Sequence, residues 1–389
     1  MCARKVFLDF VRLPIQNIII SNLANLQIKE FMMSEMTTRE RFLRMFEHRE
    51  ADRVPIIDSP WNATIERWCG EGMPKDIHFT EFFEIDRVVD IIPGKPPYQE
   101  DEILEETEHY RIYKNSWETK FKQWKHWAST PEYLEFGVFD RESWDKAKSR
   151  LTPRRDHIDW SFLKRNYPNW RKNGWWIQAQ LWFGFDITHS WIVGTEKMLL
   201  ALIEDPEWCM DIFATELEYN LALCQMIWDA GYQFDAIFWP DDMGFKHSQF
   251  FSMEMYRSIL KPFHQKAIDW AHQKKIKAHL HSCGDIRPFI PELIDMGLDA
   301  LNPLEVKAGM NPVELKAKYG NQLTLHGGIN AVLYDQPEKI KTEIEQLVPV
   351  MMNNGGYIFS SDHSVPSSVS LEDFRQITQL AKRVGTYSA

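Results

Sequence analysis

The segment from Lys275 to Asp285 contains the side chains best suited to chemistry, a histidine and a cysteine two residues apart. The alternation of apolar and polar residues from Ile276 to Leu280 predicts a short strand that leads directly into His281 and Cys283. Because side chains alternate between the two faces of a strand, these two groups point the same way. Imidazole and thiolate are donors that Zn²⁺ prefers, so the pair predicts one side of a tetrahedral metal site.

A purely structural explanation of this pair is also open. Cysteine is among the most frequently buried residues, and a core histidine usually finds a hydrogen-bond partner. The pair is, however, followed by Gly284, Asp285 and an amphipathic stretch from Ile286 to Met296 that predicts a helix. It therefore occupies a strand-to-helix loop, where functional sites are usually built.

The composition is typical of a soluble, cytoplasmic protein of enzyme size. The chain has 389 residues and a formal net charge of -11, which argues against nucleic acid or an acidic membrane surface as a partner. Its five cysteines show no paired spacing, which argues against a disulfide framework. Many of its sixteen tryptophans lie in apolar clusters, which fit a core, an interface or the wall of a site for a flat hydrophobic small molecule. The oligomeric state stays open, with a homodimer among the options.

Residues 1–35 differ from the rest of the chain. Their apolar run is broken by polar residues and lacks a small-residue cleavage site, so it predicts neither a signal peptide nor a membrane span. The segment from Met36 to Phe42 resembles a fresh start, in which Thr38 can cap a helix. We therefore expect residues 1–35 to be a disordered leader or a misassigned start, and residues 36–389 to form one domain.

Strands alternate with helices over most of that domain. Strands are predicted over residues 53–58, 85–92, 175–181, 235–239, 276–280, 298–304, 323–326 and 356–360. This alternation predicts a parallel sheet, and about eight such units predict an α/β fold of the closed (β/α)8 type, a TIM barrel. A doubly wound sheet, the competing fold, would need a glycine-rich turn after its first strand, and the sequence has none there.

One segment in the N-terminal half interrupts this alternation. The pattern from Tyr110 to Lys122 predicts an antiparallel hairpin that turns at residues 114–116, an excursion from the main sheet. Short helices are predicted after it, over residues 130–133 and 141–149.

The carboxyl ends of the strands of such a barrel share one face, where active sites lie. Side chains there that are costly to bury without a metal, a charged ligand or one another are Asp58, Gln180, Asp241, Asp242, His281, Cys283, Glu305, His326, Asp362 and His363. Helix capping is an alternative for Asp242, and a buried position below the mouth is an alternative for His326. We expect Asp362 or His363, on the last strand, to join His281 and Cys283 in a metal site.

Several segments resemble the uroporphyrinogen decarboxylase superfamily. They are Met36 to Arg41 with Asp52 to Pro55, Asp241 to Gly244, His281 to Asp285, Leu301 to Glu305 and His326 to Ile329. The resemblance covers the chain from Met36 to its end and implies a (β/α)8 barrel.

The superfamily implies two different activities. Uroporphyrinogen decarboxylase uses no metal and holds the carboxylates of a tetrapyrrole with an Arg-Gln-Ala-Gly-Arg type motif, whereas this chain has Ile56 to Asn62 at that place, and acidic and aromatic side chains bind carboxylates poorly. The zinc methyltransferases of corrinoid-dependent systems use a His-x-Cys pair, matched by His281 and Cys283, and a cysteine on the last strand. Where that cysteine is expected, Asp362 or His363 could be the replacement donor.

The resemblance to this second branch implies a zinc-dependent methyltransferase. Zinc would activate a thiol or alcohol that accepts a methyl group, or polarise a methoxy oxygen whose methyl group passes to a corrinoid on a partner protein. Three tryptophans near strand ends favour an apolar or aromatic donor, so we expect O-demethylation of a methoxylated compound first. The expected substrate-binding residues are Trp61, Gln180, Trp182, Trp239 and His326.

Three carboxylates are expected to assist that reaction. Asp241 would be a fourth ligand or an orienting acid, Glu305 a general acid or base, and Asp58 a further catalytic carboxylate. Two alternatives remain: a decarboxylase that acts on a tetrapyrrole or another carboxylate, and a non-catalytic barrel with a structural zinc. The number of protein ligands distinguishes a closed structural site from an open catalytic one.

Overall fold

The computed structural model describes residues 35–94, 101–125 and 131–387. Its strands, in chain order, are β1 (Val88–Ile91), β2 (Glu102–Glu106), β3 (Tyr110–Lys114), β4 (Lys120–Trp124), β5 (Glu132–Glu135), β6 (Trp176–Gln180), β7 (Ala236–Pro240), β8 (Gly244–Phe245), β9 (Ser248–Gln249), β10 (Lys277–His281), β11 (Ala300–Asn302), β12 (Thr324–His326) and β13 (Tyr357–Ile358). Seven of them form a parallel sheet in the order β1-β6-β7-β10-β11-β12-β13. The order follows the chain, as expected when each strand is followed by a helix that returns to the next strand.

Helices connect these strands. Those of six or more residues are Thr38–Phe46, Asn62–Gly70, Arg141–Lys148, Trp160–Lys172, Thr195–Glu204, Pro206–Asp229, Lys261–Gln273, Ile290–Asp295, Pro312–Tyr319, Pro337–Met351 and Leu371–Val384. Shorter α-helices are Phe79–Phe82, Phe185–Ile187 and Met253–Met255, and π-helical turns cover Thr188–Ile192 and Tyr256–Leu260. The apolar faces of the helices and the outer face of the sheet bury one continuous core.

The segment around Ile56 lies between the two edges of this sheet. Ile56 forms an isolated parallel bridge with Phe359, beyond β13. Its carbonyl accepts a hydrogen bond from the amide of Asp86, ahead of β1, at 3.0 Å. The predicted first strand thus forms only isolated bridges, of Arg53 with Thr386 and of Ile56 with Phe359. Among the described residues the regular ladder has seven strands rather than the eight of a closed barrel.

A buried carboxylate holds this segment in place. The side chain of Asp86 is fully buried and accepts from the guanidinium groups of Arg41, at 3.0 Å, and Arg53, at 2.5 Å. It also accepts from the amide of Ile56 at 2.8 Å. Arg41 makes a second, bidentate contact with Asp52, with both N–O distances 2.7 Å. A buried charge needs such partners, so Asp86 connects the helix Thr38–Phe46 to the segment around Ile56.

Strands β2, β3, β4 and β5 form a separate antiparallel sheet. The predicted hairpin is confirmed, because β3 pairs with β4 in the register Tyr113 to Phe121. The predicted helix at residues 130–133 is wrong. Glu132–Glu135 is instead an edge strand that pairs with β4. The backbone groups on that side of β4 find their hydrogen-bond partners in this pairing.

The contacts group the described residues from Thr37 onward into one compact unit. The leader predicted over residues 1–35 lies outside the described residues, apart from Glu35. The six predicted strands after residue 174 are confirmed, mostly with shorter bounds. No helix among the described residues is both long and apolar enough to cross a bilayer.

Candidate metal centre at the strand ends

Neighbouring strands β7 and β10 bring three donor side chains together. His281 pairs with Pro240 in the parallel register, and Asp242 and Cys283 follow those positions. The Sγ atom of Cys283 lies 3.4 Å from Nε2 of His281, which lies 3.7 Å from Oδ1 of Asp242. One donor atom from each residue lies within 4.8 Å of the other two, and all three side chains are half-buried.

These separations fit a tetrahedral cation. Zinc bonds of about 2.0–2.3 Å at tetrahedral angles place two donors roughly 3.3–3.8 Å apart. Both measured separations from His281 Nε2 fall in that range. Two side chains that close without a cation would gain little, because a thiol is a weak hydrogen-bonding group. Asp242, His281 and Cys283 can therefore hold a metal ion with one coordination position left open.

The neighbouring strand orients the imidazole. Asn302 on β11 pairs with His281, and its Oδ1 lies 2.6 Å from His281 Nδ1. An amide oxygen can only accept, so Nδ1 carries the proton and the lone pair of Nε2 faces Asp242 and Cys283. This arrangement is the one that metal-binding histidines need.

The backbone after β10 is held equally firmly. The amide of Cys283 donates to Asp242 Oδ1 at 2.7 Å, and the amide of Gly284 donates to Glu305 at 2.7 Å. Gly284 has a φ of 83°, and a Cβ there would lie 2.2 Å from the backbone of Gly244. Only glycine fits this close approach, which holds the backbone after Cys283 against Gly244 of β8.

The site has an excess of negative charge. Burial raises the pKa of the Cys283 thiol well above its usual value, and the charges of Asp242 and Glu305 raise it further. Burial, and then the charges of Asp242 and Asp241, raise the pKa of Asp186 to about 8. A cation would offset this repulsion and stabilise the thiolate, so the electrostatics match the donor set.

The family of the chain follows from the segment that carries these residues. The sequence profile of uroporphyrinogen decarboxylase (URO-D) matches residues 188–384, about half of the chain. The chain belongs to the uroporphyrinogen decarboxylase family.

The matches to individual proteins either cover little of the chain or have low sequence identity. An 86-residue segment is 28% identical to uroporphyrinogen decarboxylase from Actinobacillus succinogenes, but it spans only 22% of this chain and 23% of that relative. A methyltransferase from Methanosarcina mazei matches the structure with a TM-score of 0.60 over 90% of this chain and 99% of its own. The sequence identity of that pair is 14%, so this likeness concerns the fold.

The two residues expected as the third ligand lie apart from the group. Both carboxylate oxygens of buried Asp362 accept backbone amides, from Ala331 at 2.8 Å and from Val306 at 3.0 Å. His363 is exposed, and its ring centre lies 6.3 Å from that of Trp61. Among the described residues, Asp242 rather than Asp362 or His363 has a donor atom within 4.8 Å of donor atoms of both His281 and Cys283.

The expected catalytic carboxylates have different surroundings. Glu305 is half-buried and accepts the amide of Gly284, next to the donor group. Asp58 accepts hydrogen bonds from the hydroxyls of Ser361 and Tyr334, the latter at 3.0 Å, and burial raises its pKa to about 6. Asp241 is fully buried behind the site, so it does not lie where a substrate could reach it.

The residues expected to bind the substrate differ in their exposure. Gln180 and Trp182 are half-buried at the end of β6, and Trp61 is 40% exposed. His326 is buried, with its Nδ1 3.3 Å from Nε2 of His279 below the mouth. Trp239 is fully buried between Phe183 and His264 on the outer face of the sheet, so its indole is not available to a substrate at the mouth.

Two residues of the site were not recognised in these roles from the sequence. Asp242 has the same strand parity as Phe238, whose ring meets His281 inside the sheet, whereas Trp239 and Asp241 have the opposite parity. Period-two alternation continued past the end of β7 would therefore have selected Asp242. Asp186 follows β6 and carries no such signal, because its position depends on the turn at Gly184.

Proposed function

We propose that this protein is a zinc-dependent methyltransferase of a corrinoid system, which moves a methyl group between a small methoxylated aromatic compound and a corrinoid protein. The observation that carries the proposal is the group of Asp242, His281 and Cys283, with donor separations suited to zinc. Three protein ligands and an open position are typical of a catalytic rather than a structural zinc. We infer that the sheet closes through Ile56 into a (β/α)8 barrel that places this group at its mouth.

The residues of the chain would prepare the site for that chemistry. Zinc, when bound, would supply Lewis acidity for a methoxy oxygen or a thiol. Asn302 fixes the tautomer of His281, and the amide of Cys283 fixes one oxygen of Asp242. Burial raises the pKa of Asp186, so its carboxyl would hold a proton for an oxygen that is losing its methyl group. Half-buried Trp182, which follows β6, would offer an aromatic surface to the methyl donor.

A decarboxylase of the uroporphyrinogen type is the second candidate, because the family profile and the matched relative carry that name. The charges around Cys283 speak against it. The charges of Asp242 and Glu305 raise the pKa of the thiol, and they would repel a substrate rich in carboxylates.

Methyl transfer can be measured directly with free cobalamin in place of the partner protein. Zinc-loaded enzyme, reduced cob(I)alamin and methoxybenzoate isomers are mixed without oxygen, and methylcobalamin is followed by its absorbance. We expect methylcobalamin to form with wild type and not with Cys283→Ala. Consumption of uroporphyrinogen III with no methyl transfer would support the decarboxylase. The absence of both activities would support a non-catalytic binding barrel.

The choice of third ligand gives a separate expectation. Asp242→Asn keeps an acceptor for the Cys283 amide but removes the charge, so we expect zinc affinity to fall about 10- to 100-fold. His363→Ala should bind zinc as wild type does. Competition with a chromophoric chelator measures both affinities. The reverse pattern would show that His363 moves inward to become the ligand.

Replacing the proton donor should affect catalysis alone. Asp186→Asn removes the ionisable proton but preserves the shape of the side chain, so we expect methyl transfer from a methoxy donor to slow about 10²–10⁴-fold. Zinc content should stay at the wild-type level. An unchanged rate with normal zinc content would contradict a role for Asp186 in proton transfer.

A further inference from the structure

A buried chain of three side chains lies directly behind the candidate metal centre. His264 Nε2 lies 2.8 Å from Oδ2 of Asp241, and His264 Nδ1 lies 3.2 Å from the hydroxyl of Tyr256. All three side chains are fully buried. Asp241 is adjacent to Asp242, so the chain ends on the backbone that carries a proposed ligand.

A π-helical turn makes this chain possible. Tyr256 and His264 are eight positions apart, and in an uninterrupted α-helix such residues lie about 80° apart around the axis. Tyr256–Leu260 is a π-helical turn between Met253–Met255 and the helix Lys261–Gln273. Such a turn accommodates one extra residue and reduces the angle to about 20°. The irregular turn therefore puts the tyrosine and the histidine on one face of the helix.

The hydrogen bonds in the chain have one consistent direction. Burial, and then the charges of Asp241 and Glu292, raise the pKa of Tyr256 well above its usual value, so the hydroxyl keeps its proton. The hydroxyl donates to His264 Nδ1, and Nε2–H of the same ring donates to Asp241. The tyrosine thus fixes the tautomer that the carboxylate needs.

The other oxygen of Asp241 holds the opposite wall of the site. Its Oδ1 accepts the amide of Asp186 at 2.8 Å. Gly184 has a φ of 103°, and a Cβ there would lie 2.3 Å from Asp241 Oδ2. The backbone after β6 and the backbone after β7 therefore meet on this one carboxylate.

We propose that His264 and Tyr256 are positioning residues of the metal centre, which act through Asp241 to fix the backbone of Asp242 and of Asp186. This inference rests on the proposed metal site. A buried network with a purely structural role would contribute to stability but would not change how a metal ion is held.

Cobalt(II) binding to the full chain separates these two roles, because its visible absorption reports the ligand geometry. We expect His264→Phe to bind Co²⁺ about 10- to 100-fold more weakly than wild type, with a shifted spectrum. His264→Gln can still donate to Asp241 and should recover most of the wild-type affinity. Tyr256→Phe removes only the hydroxyl and should have an intermediate effect. Leu260→Ala, a buried control in the same π-turn, should lower thermal stability and leave the cobalt spectrum unchanged.

Each outcome is decisive. Wild-type cobalt affinity and spectrum in His264→Phe, together with a lowered melting temperature, would assign the network a structural role and overturn the inference. An equal shift in Leu260→Ala would overturn it as well. If wild type binds no cobalt, the metal site is wrong and the inference fails with it, whereas failure of methyl transfer with normal cobalt binding would affect only the proposed function.

Discussion

Cys283→Ala should purify without zinc, whereas wild type should contain about one zinc per chain. Structural zinc contributes about 10–16 kcal/mol over four ligands, so one ligand is worth roughly 3 kcal/mol, or about 10²-fold in affinity. The loss should be larger for Cys283 than for Asp242, because a thiolate is the softest donor of the group. Plasma emission spectroscopy of dialysed protein measures the metal content.

Cys69 provides a matched control for this expectation. It is half-buried like Cys283 and lies on the helix Asn62–Gly70, outside the donor group. Cys69→Ala should therefore keep its zinc. Equal zinc in Cys283→Ala and wild type, or equal loss in the two cysteine variants, would contradict the assignment of Cys283 as a ligand.

Asp86→Ala should produce the largest loss of stability. The variant leaves the buried guanidinium groups of Arg41 and Arg53 without a carboxylate they now share, and it leaves the amide of Ile56 without an acceptor. Removing one partner from a buried ion pair typically costs about 3–5 kcal/mol, because the remaining charge stays buried. Urea unfolding followed by circular dichroism measures the change.

An exposed acid two residues earlier is the control. Glu84 contacts Lys382 at 3.4 Å, but its side chain is 86% exposed, so Glu84→Ala should leave the unfolding midpoint almost unchanged. If Asp86→Ala unfolds at the same urea concentration as Glu84→Ala, the contacts of Asp86 do not stabilise the segment around Ile56.

Most of the parallel sheet could be predicted from the sequence, because its signals are local. Pro206–Asp229 and Pro312–Tyr319 each begin with a proline after a capping side chain, which is a local signal for the start of a helix. The strand β10 and the His-x-Cys pair at its end could also be predicted. The alternation of side chains along a strand is enough to predict that His281 and Cys283 point the same way.

Features that depend on distant partners could not be predicted. The segment around Ile56 has the sequence pattern of a full strand, but it forms only isolated bridges, and its partners lie about three hundred positions later. The π-turn Tyr256–Leu260 lies inside a continuous helical pattern and has no local signature. The orientation of Asp362 depends on the backbone amides of Val306 and Ala331, which lie on two other loops.

X-ray absorption at the zinc edge of the wild-type protein tests the central claim most directly, because it identifies the donor atoms themselves. The site of Asp242, His281 and Cys283 predicts one sulfur at about 2.3 Å and two or three nitrogen or oxygen donors at about 2.0–2.2 Å, with the imidazole visible in the outer shells. A metal shell without sulfur, a shell with two or more sulfurs, or a protein that takes up no zinc would contradict it.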